Sequence, residues 1–210
     1  MAKVFIVYAH PEPHSFNGAM KDLAAAALTR SGHPVRVSDL YAMKFEPVVD
    51  PAQFPQRADP AHFWLQDEQR QAAAIGTHAP DVRAEHEKLF WADLVVFQFP
   101  LWWGSMPAIM KGWVDRVFSA GTIYGRGSTG LEGRKALLSV TASDRPDRDE
   151  GARQLKAELS HVLNNMLALT RLEPLEPFFV FGPRTLSQAD RSLYLREYQD
   201  RLLSIAGEIG

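Results

Sequence analysis

The sequence predicts an α/β fold in which a five-stranded parallel sheet of order 2-1-3-4-5 is covered by helices on both faces. Two observations predict it. Short runs rich in β-branched or aromatic residues occupy positions 4–8, 94–99, 136–140 and 178–181, with a weaker one at 35–37. The stronger four are apolar nearly throughout, as strands buried on both faces of a sheet must be. Helical patterns fill the gaps, at 16–30, 81–91, 107–118, 150–169 and 187–206. Parallel neighbours need crossover connections, which are usually helical, so this alternation selects a parallel sheet over an antiparallel one.

Along the chain, the first strand runs into a proline-rich loop and a helix whose start is marked by Ser15 as a candidate N-cap. After the second strand, residues 41–80 show no clear period and carry several prolines. They read as a long insertion, of the kind that is usually functional or interface-forming. The third strand leads through a tryptophan-bearing loop into the central helix, where Ile109, Trp113 and Val117 make one stripe and Met110, Val114 and Phe118 an adjacent one. So wide an apolar face touches more than one neighbour. Core packing accounts for most of it, and a shared dimer surface is the sharper reading. No repeat or linker divides the 210 residues, which are expected to form one domain.

With 46% hydrophobic residues the chain can bury a proper core, and a formal net charge of −2 offers nothing to a polyanion, so no nucleic-acid partner is expected. There are 0 cysteines, which removes disulfides, thiolate metal ligands, redox dithiols and a cysteine nucleophile together. Redox chemistry would need a bound cofactor. His33, His62, His78, His86 and His161 show no metal-ligand spacing, and no serine sits in a G-x-S-x-G elbow. The apolar run before His10 is too short for a signal-peptide core, and no stretch nears the roughly 20 apolar residues of a membrane span. A cytoplasmic protein without membrane insertion is expected.

In open sheets of this kind, ligands bind beyond the carboxyl ends of the strands, where the strand order reverses. After the first strand stand His10, Pro11, Glu12, Pro13, His14, Ser15, Phe16 and Asn17. A loop feeding a helix N-terminus offers backbone N–H groups and the positive end of the helix dipole to a phosphate. His10 and Ser15 would add donors, and Asn17 could reach the next group along the ligand. A proline-rich turn before an ordinary capped helix fits the same residues. After the third strand come Pro100, Leu101, Trp102, Trp103, Gly104 and Ser105. Two adjacent indoles in a loop are hard to bury together, and a flat isoalloxazine lying against them, bonded by loop N–H groups, would explain both. A hydrophobic plug or an oligomer contact is the other reading. After the fourth strand, Thr141, Ala142, Ser143 and Asp144 would let backbone approach the cofactor's pyrimidine edge, although each alone is an ordinary turn or cap residue.

Together these stretches resemble the NAD(P)H:quinone oxidoreductase (DT-diaphorase) family of flavodoxin-like flavoproteins. AHPEPHSFNGAMK, SDLYAMKFEPVV, ADLVVFQFPLWWGSMPAIMKGWVDRVF and RKALLSVT carry the resemblance, which spans nearly the whole chain and weakens after Thr141. It implies FAD, with FMN as the alternative, and NADPH or NADH as co-substrate. It also implies a ping-pong cycle that reduces quinones by two electrons, in a homodimer with two active sites at the subunit interface. Position by position, it puts His10, Ser15, Phe16 and Asn17 at the phosphate and ribityl chain. Pro100, Leu101, Trp102, Trp103 and Gly104 then fall at the isoalloxazine, continued by Thr141, Ala142, Ser143 and Asp144. Arg191 matches a contact to the adenine half of FAD, and Asp115 an acidic residue near the same group, which favours FAD over FMN. Tyr124 matches an active-site tyrosine lining the nicotinamide and quinone pocket, which Trp103 would share.

Ser143 and Asp144 stand where the animal enzymes have two glycines, and no tyrosine and histidine pair follows. Compensation of charge on the reduced flavin then falls to Arg145, Arg148 or backbone donors. The chain stops at Gly210 without the further C-terminal segment of the animal enzymes, which leaves the nicotinamide preference open. A second reading, drawn from relatives of the family that serve transporters, is a flavin-binding ancillary subunit of a potassium-efflux transporter.

Overall fold

The computed structural model describes residues 1–128, 130–143, 148–160 and 162–210. Its strands are β1 (Val4–Tyr8), β2 (Val35–Asp39), β3 (Leu94–Pro100), β4 (Lys135–Ala142), β5 (Glu173–Pro174) and β6 (Phe178–Phe181). Its helices are α1 (Phe16–Arg30), α2 (Leu65–Ile75), α3 (Pro80–Trp91), α4 (Ala108–Val117), α5 (Arg148–Glu158), α6 (Ala168–Thr170) and α7 (Gln188–Ile209). The sheet runs β2-β1-β3-β4-β5 with every pairing parallel, the order predicted from the alternation.

The sixth strand is a break in the fifth position rather than a new one. Both β5 and β6 pair with β4, Glu173 opposite Lys135 and Phe178 opposite Ser139, with an extra residue on the outer side between the two pairings. Pro174 and Pro177 lack the N–H a ladder needs, which confines this strand to an edge and interrupts it.

The pleat sorts the strand residues between two cores. Val4, Ile6, Tyr8, Leu94 and Val96 pack with Met20 and Leu28 of α1 and Tyr198, Leu202 and Ile205 of α7. Phe5, Val7, Val95 and Phe97 pack on the other face with Leu89 of α3, Met110, Trp113 and Val117 of α4, and Leu155 of α5. Both faces of β1 and β3 are therefore dry, which is why neither strand shows a polar alternation. On α4 and its C-cap, Met110, Trp113, Val117 and Phe118 are buried, so the core face draws two residues from each predicted stripe, while Ile109 and Val114 remain half-buried at its flanks.

A buried polar knot locks α3 into the second core. Glu85, which has no exposed surface, accepts hydrogen bonds from the Trp113 indole (2.9 Å), the Ser38 hydroxyl (2.7 Å) and the Lys88 ammonium (2.6 Å). One carboxylate thus joins β2, α3 and α4.

Residues 41–80 are more ordered than their sequence indicates. The chain lies directly on α4, since a Cβ at Gly112 would sit 2.2 Å from the Pro47 carbonyl oxygen. Arg116, nearly buried, donates to Glu46 O (2.6 Å) and to both oxygens of Asp81 (2.7 and 3.1 Å). The segment also contains α2, whose buried residues are Glu68, Gln69 and Ala72. A helix that turns a glutamate and a glutamine inward leaves no apolar period to read. The helix predicted over 150–169 is likewise shorter: α5 ends at Glu158, and Val162–Leu167 form a π-helical turn before α6. Among the described residues, no helix is long and apolar enough to cross a membrane.

Candidate flavin and substrate site

The carboxyl ends of β1, β3, β4 and β6 open into a cleft of about 830 Å³. His10 and Ser15 line it from the first loop and Phe16 and Asn17 from the start of α1, Pro100, Leu101 and Trp102 from the end of β3 and the loop after it, Thr141, Ala142 and Ser143 from the end of β4 and the residue after it, and Arg191 from α7. His14, Gly182, Pro183, Arg184 and Thr185 also line it, and no residue-level reading of the sequence singled these out. The signal was present: residues 182–185 directly follow the last strand, where the same carboxyl-end rule applies.

The first loop is wound tightly on α1. Ser15 caps the helix, its Oγ accepting from Gly18 N (3.1 Å), while Ser15 N donates to Glu12 O (3.1 Å). Glu12 N donates to the His10 ring (3.0 Å), and His14 N donates to Glu12 Oε1 (2.8 Å). The loop is thereby drawn over the positive end of the α1 dipole. Gly18 makes this possible, because a Cβ there would lie 2.0 Å from the Pro13 carbonyl oxygen.

Asn17 is held by bonds to two strands. Its Nδ2 donates to Thr141 Oγ1 (2.6 Å), and its backbone oxygen accepts from Gln98 Nε2 (2.6 Å). Gln98 Oε1 in turn accepts from the Tyr198 hydroxyl (3.1 Å), and burial raises the phenol's pKa so that it stays a donor. What this chain of bonds leaves over is Asn17 Oδ1, buried and without a protein partner. A buried acceptor of this kind costs about 1–3 kcal/mol unless something donates to it.

The tryptophan loop is a two-residue turn. Trp102 N donates to Ser105 O (2.9 Å) and Ser105 N to Trp102 O (3.0 Å), with φ of 52° at Trp103 and 69° at Gly104. Positive φ at both central residues makes this a type I′ geometry, which favours Asn-Gly; a tryptophan there costs roughly 1–2 kcal/mol. Leu101 N donates to Thr141 O (2.8 Å) and ties the turn to β4. Trp102 is 42% exposed, and Trp103, at the tip, is 104% exposed. A strained turn that holds a large indole entirely in solvent does nothing for the core of its own chain.

Asp115 and Tyr124 lie elsewhere. They line a second cavity of about 410 Å³, together with Ser105, Met106, Val114, Phe118 and Met166. Asp115 forms an ion pair with Lys111 (2.6 Å). Arg191, by contrast, stands over the Phe16 ring at 6.0 Å, its Nε donating to Leu186 O (3.3 Å). Within one chain the two residues predicted for the adenine half thus open on different cavities. The stretch 102–106 forms a wall of both, since Trp102 faces the first and Ser105 and Met106 the second. Asp144, Arg145 and His161 lie outside the described residues. Arg148 bonds Glu197 (2.5 Å), stands 4.2 Å from the Tyr194 ring and does not line the cleft.

Behind the Tyr124 turn sit the half-buried His78 and the buried His86. His78 Nε2 bonds Thr122 Oγ1 (2.8 Å), His86 Nε2 bonds Val117 O (2.8 Å), and the rings meet edge to face at 5.0 Å. Burial depresses both pKa values, that of His78 to about 4 with help from the neighbouring His86. In the unfolded chain both return toward 6.5, so between about 4 and 6.5 the unfolded state binds more protons and stability rises with pH. This contribution is complete above pH 6.5 and is lost as pH falls toward 4. Urea midpoints measured across that window are expected to fall less steeply for His78→Gln than for the unaltered protein. Among the described residues, no group of three His, Asp or Glu side chains could hold a metal ion.

A parallel sheet of this order with a helix N-terminus and an aromatic loop at its switch point defines a flavodoxin-like protein. Comparisons with known proteins agree. The family described as flavodoxin-like fold matches residues 2–202. The ribosyldihydronicotinamide dehydrogenase [quinone] of Homo sapiens is 38% identical, over 97% of this chain and 91% of its own length. The ribosyldihydronicotinamide dehydrogenase-like protein traD of Penicillium crustosum is 37% identical, over 93% of this chain and 79% of its own. A crystal structure from Klebsiella pneumoniae, provisionally assigned as a quinone reductase, superposes with a TM-score of 0.91 at 35% identity and covers 98% of this chain and 85% of that one. The chain belongs to the NAD(P)H:quinone oxidoreductase family of flavodoxin-like proteins.

Proposed function

We propose that this protein binds FAD in the 830 Å³ cleft and uses it to reduce quinones by two electrons at the expense of a dihydronicotinamide, in a homodimer. The observation that carries the reading is Asn17: a buried carbonyl oxygen without a protein partner, on a residue fixed by bonds to β3 and β4 and lining the cleft. A ribityl hydroxyl is the donor such an acceptor calls for. The α1 N-terminus with His10 and Ser15 suits a phosphate, and Arg191 with Arg184 adds positive charge for a second one, as a dinucleotide requires and FMN does not. When bound, the flavin supplies the centre through which a hydride equivalent passes from nicotinamide to quinone.

The chain's own residues do the rest. The N–H groups of Trp103, Gly104 and Ser143, which the loops leave over, would bond the ring's oxygens, and Trp102 would cover an edge of it. Tyr124, half-buried, would donate its hydroxyl hydrogen to a quinone oxygen, and Trp103 would wall the pocket and keep water out. A second copy of the chain supports this best. It would cover the exposed Trp103 and bring an Asp115 and a Tyr124 against a cleft that lacks its own. We place the protein in the cytoplasm, in keeping with its lack of cysteine.

The test is to release and weigh the cofactor, then to follow oxidation of NADH, NADPH and dihydronicotinamide riboside with a simple benzoquinone. The third donor is included because the relatives carry its name. FAD with parallel double-reciprocal plots is the expected result; FMN would remove the roles of Arg191 and Asp115, and absence of flavin would sink the reading. The shared site has its own test. Heterodimers carrying Asn17→Leu on one subunit and Tyr124→Ala on the other keep one intact site, so roughly half of the unaltered activity is expected. Both changes on a single subunit should leave almost none.

A further inference from the structure

Helix α2 presents the buried Gln69 to the turn that carries Tyr124, at the edge of the 410 Å³ cavity. Gln69, 3% exposed, accepts from Ala120 N (3.0 Å) through Oε1 and donates to Asp115 O (3.1 Å) through Nε2. It therefore spans the end of α4 and the first residues of the turn. Two residues further on, Thr122 is held by His78 at 2.8 Å. Between these anchors, Gly121 adopts φ 85°, and a Cβ there would lie 3.2 Å from Ala73 Cβ and 3.3 Å from Arg70 Cα. The helix thus packs on the turn as closely as a glycine allows. The turn closes on itself through Gly121 N to Tyr124 O (2.8 Å) and Ile123 N to Ser119 O (2.9 Å). Tyr124 then follows with its position fixed from behind.

We infer that Gln69 and His78 are positioning residues that set the Tyr124 side chain in the 410 Å³ cavity, through the turn at 119–124. The inference rests on the reading of Tyr124 as a wall of the quinone pocket and deepens it. A glutamine fits the role because it satisfies a backbone donor and a backbone acceptor at once, which no apolar residue can do. The charged and titratable groups around the histidine pair are Glu85 on α3 and Arg116 on α4, with Asp81 held by Arg116. Glu85 and Arg116 are both committed elsewhere, to the Trp113 knot and to Asp81 and Glu46, so the turn depends on the two neutral anchors.

The experiment compares Gln69→Leu, Tyr124→Phe and the double variant. Tyrosines, of which there are 5, are labelled with 3-fluorotyrosine, and the Tyr124 resonance is assigned by its loss in Tyr124→Phe. In flavin-free and flavin-loaded protein alike, Gln69→Leu is expected to shift and broaden that resonance alone. Its KM for benzoquinone should rise roughly tenfold with flavin content and kcat nearly unchanged. The double variant should have the KM of Tyr124→Phe alone, because Gln69 acts through Tyr124. His78→Gln, which keeps a donor for Thr122, should retain most of the wild-type KM, and His78→Leu should not. An unmoved Tyr124 resonance in Gln69→Leu, or effects that simply multiply in the double variant, overturns the inference. If Tyr124→Phe leaves the quinone KM unchanged, the pocket reading fails instead, and the fluorine signal still decides whether Gln69 positions the side chain.

Discussion

Gly18→Ala is expected to strip the protein of its flavin. Alanine near the start of a helix ordinarily stabilises by up to about 1 kcal/mol relative to glycine. Here the sign reverses, because the new methyl would lie 2.0 Å from the carbonyl oxygen of Pro13 and 2.9 Å from its carbon, backbone atoms that cannot swing aside. Relief requires the 10–15 loop to lift off α1 by an ångström or more. That movement breaks the Ser15 cap and the Glu12 turn, and removes the backbone from the place where a phosphate would sit. A displacement of this size costs about a hundredfold in a positioned interaction. Flavin affinity, read by titration of the stripped protein, should fall by that order, and turnover at low flavin should fall with it. Gly207→Ala is the control, since nothing lies within 4 Å of a Cβ at that helical position. If Gly18→Ala holds flavin as tightly as the unaltered chain, the first loop is not a phosphate site.

The second large effect belongs to stability. Glu85→Leu keeps the volume but leaves the Trp113 indole N–H and the Ser38 hydroxyl without an acceptor, and Lys88 without its anion. Breaking one member of a buried ionic knot typically costs about 3–5 kcal/mol. For a chain of 210 residues this corresponds to a melting temperature lower by roughly 10 °C. Lys88 retains 22% side-chain exposure and can turn toward water, so the loss should sit mainly with Ser38 and Trp113. Adding Lys88→Met and Ser38→Ala to Glu85→Leu should recover part of it, because these changes remove the orphaned hydroxyl and ammonium, while the Trp113 N–H still lacks its acceptor. Flavin binding well below the melting point should be unchanged in both variants. A melting temperature that hardly moves in Glu85→Leu would show that the knot contributes little.

The parallel sheet was legible because its central strands are wet on neither face: Val4 to Tyr8 and Leu94 to Phe99 are apolar at almost every position, and only a strand covered on both sides tolerates that. The cleft was legible for a related reason. In a sheet of known order the carboxyl ends of the strands are fixed in advance, so the loops bearing His10, Trp102 and Thr141 had to converge once the order was known. The Ser15 cap is a local matter of four residues and needed no fold at all.

What stayed hidden shares a different physics. Helix α2 buries Glu68 and Gln69, and their partners Arg57 and Ala120 stand 11 and 51 residues away, so no window of sequence shows that these polar side chains are satisfied. The break in the fifth strand required knowing that Pro174 falls on a sheet edge. The separation of Arg191 from Asp115 and Tyr124 into two cavities is invisible to any residue-by-residue reading, because it depends on which side of the 102–106 wall each side chain reaches. By itself, the sequence determined the layers, through hydrophobic periodicity, and the match of five alternating units to the flavodoxin-like order then indicated the strand order and the loops that can touch a ligand. Only the tertiary structure decided which polar groups are paired, which acceptor is left over at Asn17, and that Trp103 points away from its own chain. Those depend on contacts between residues far apart in sequence, where hydrogen-bond distance rather than composition sets the energy.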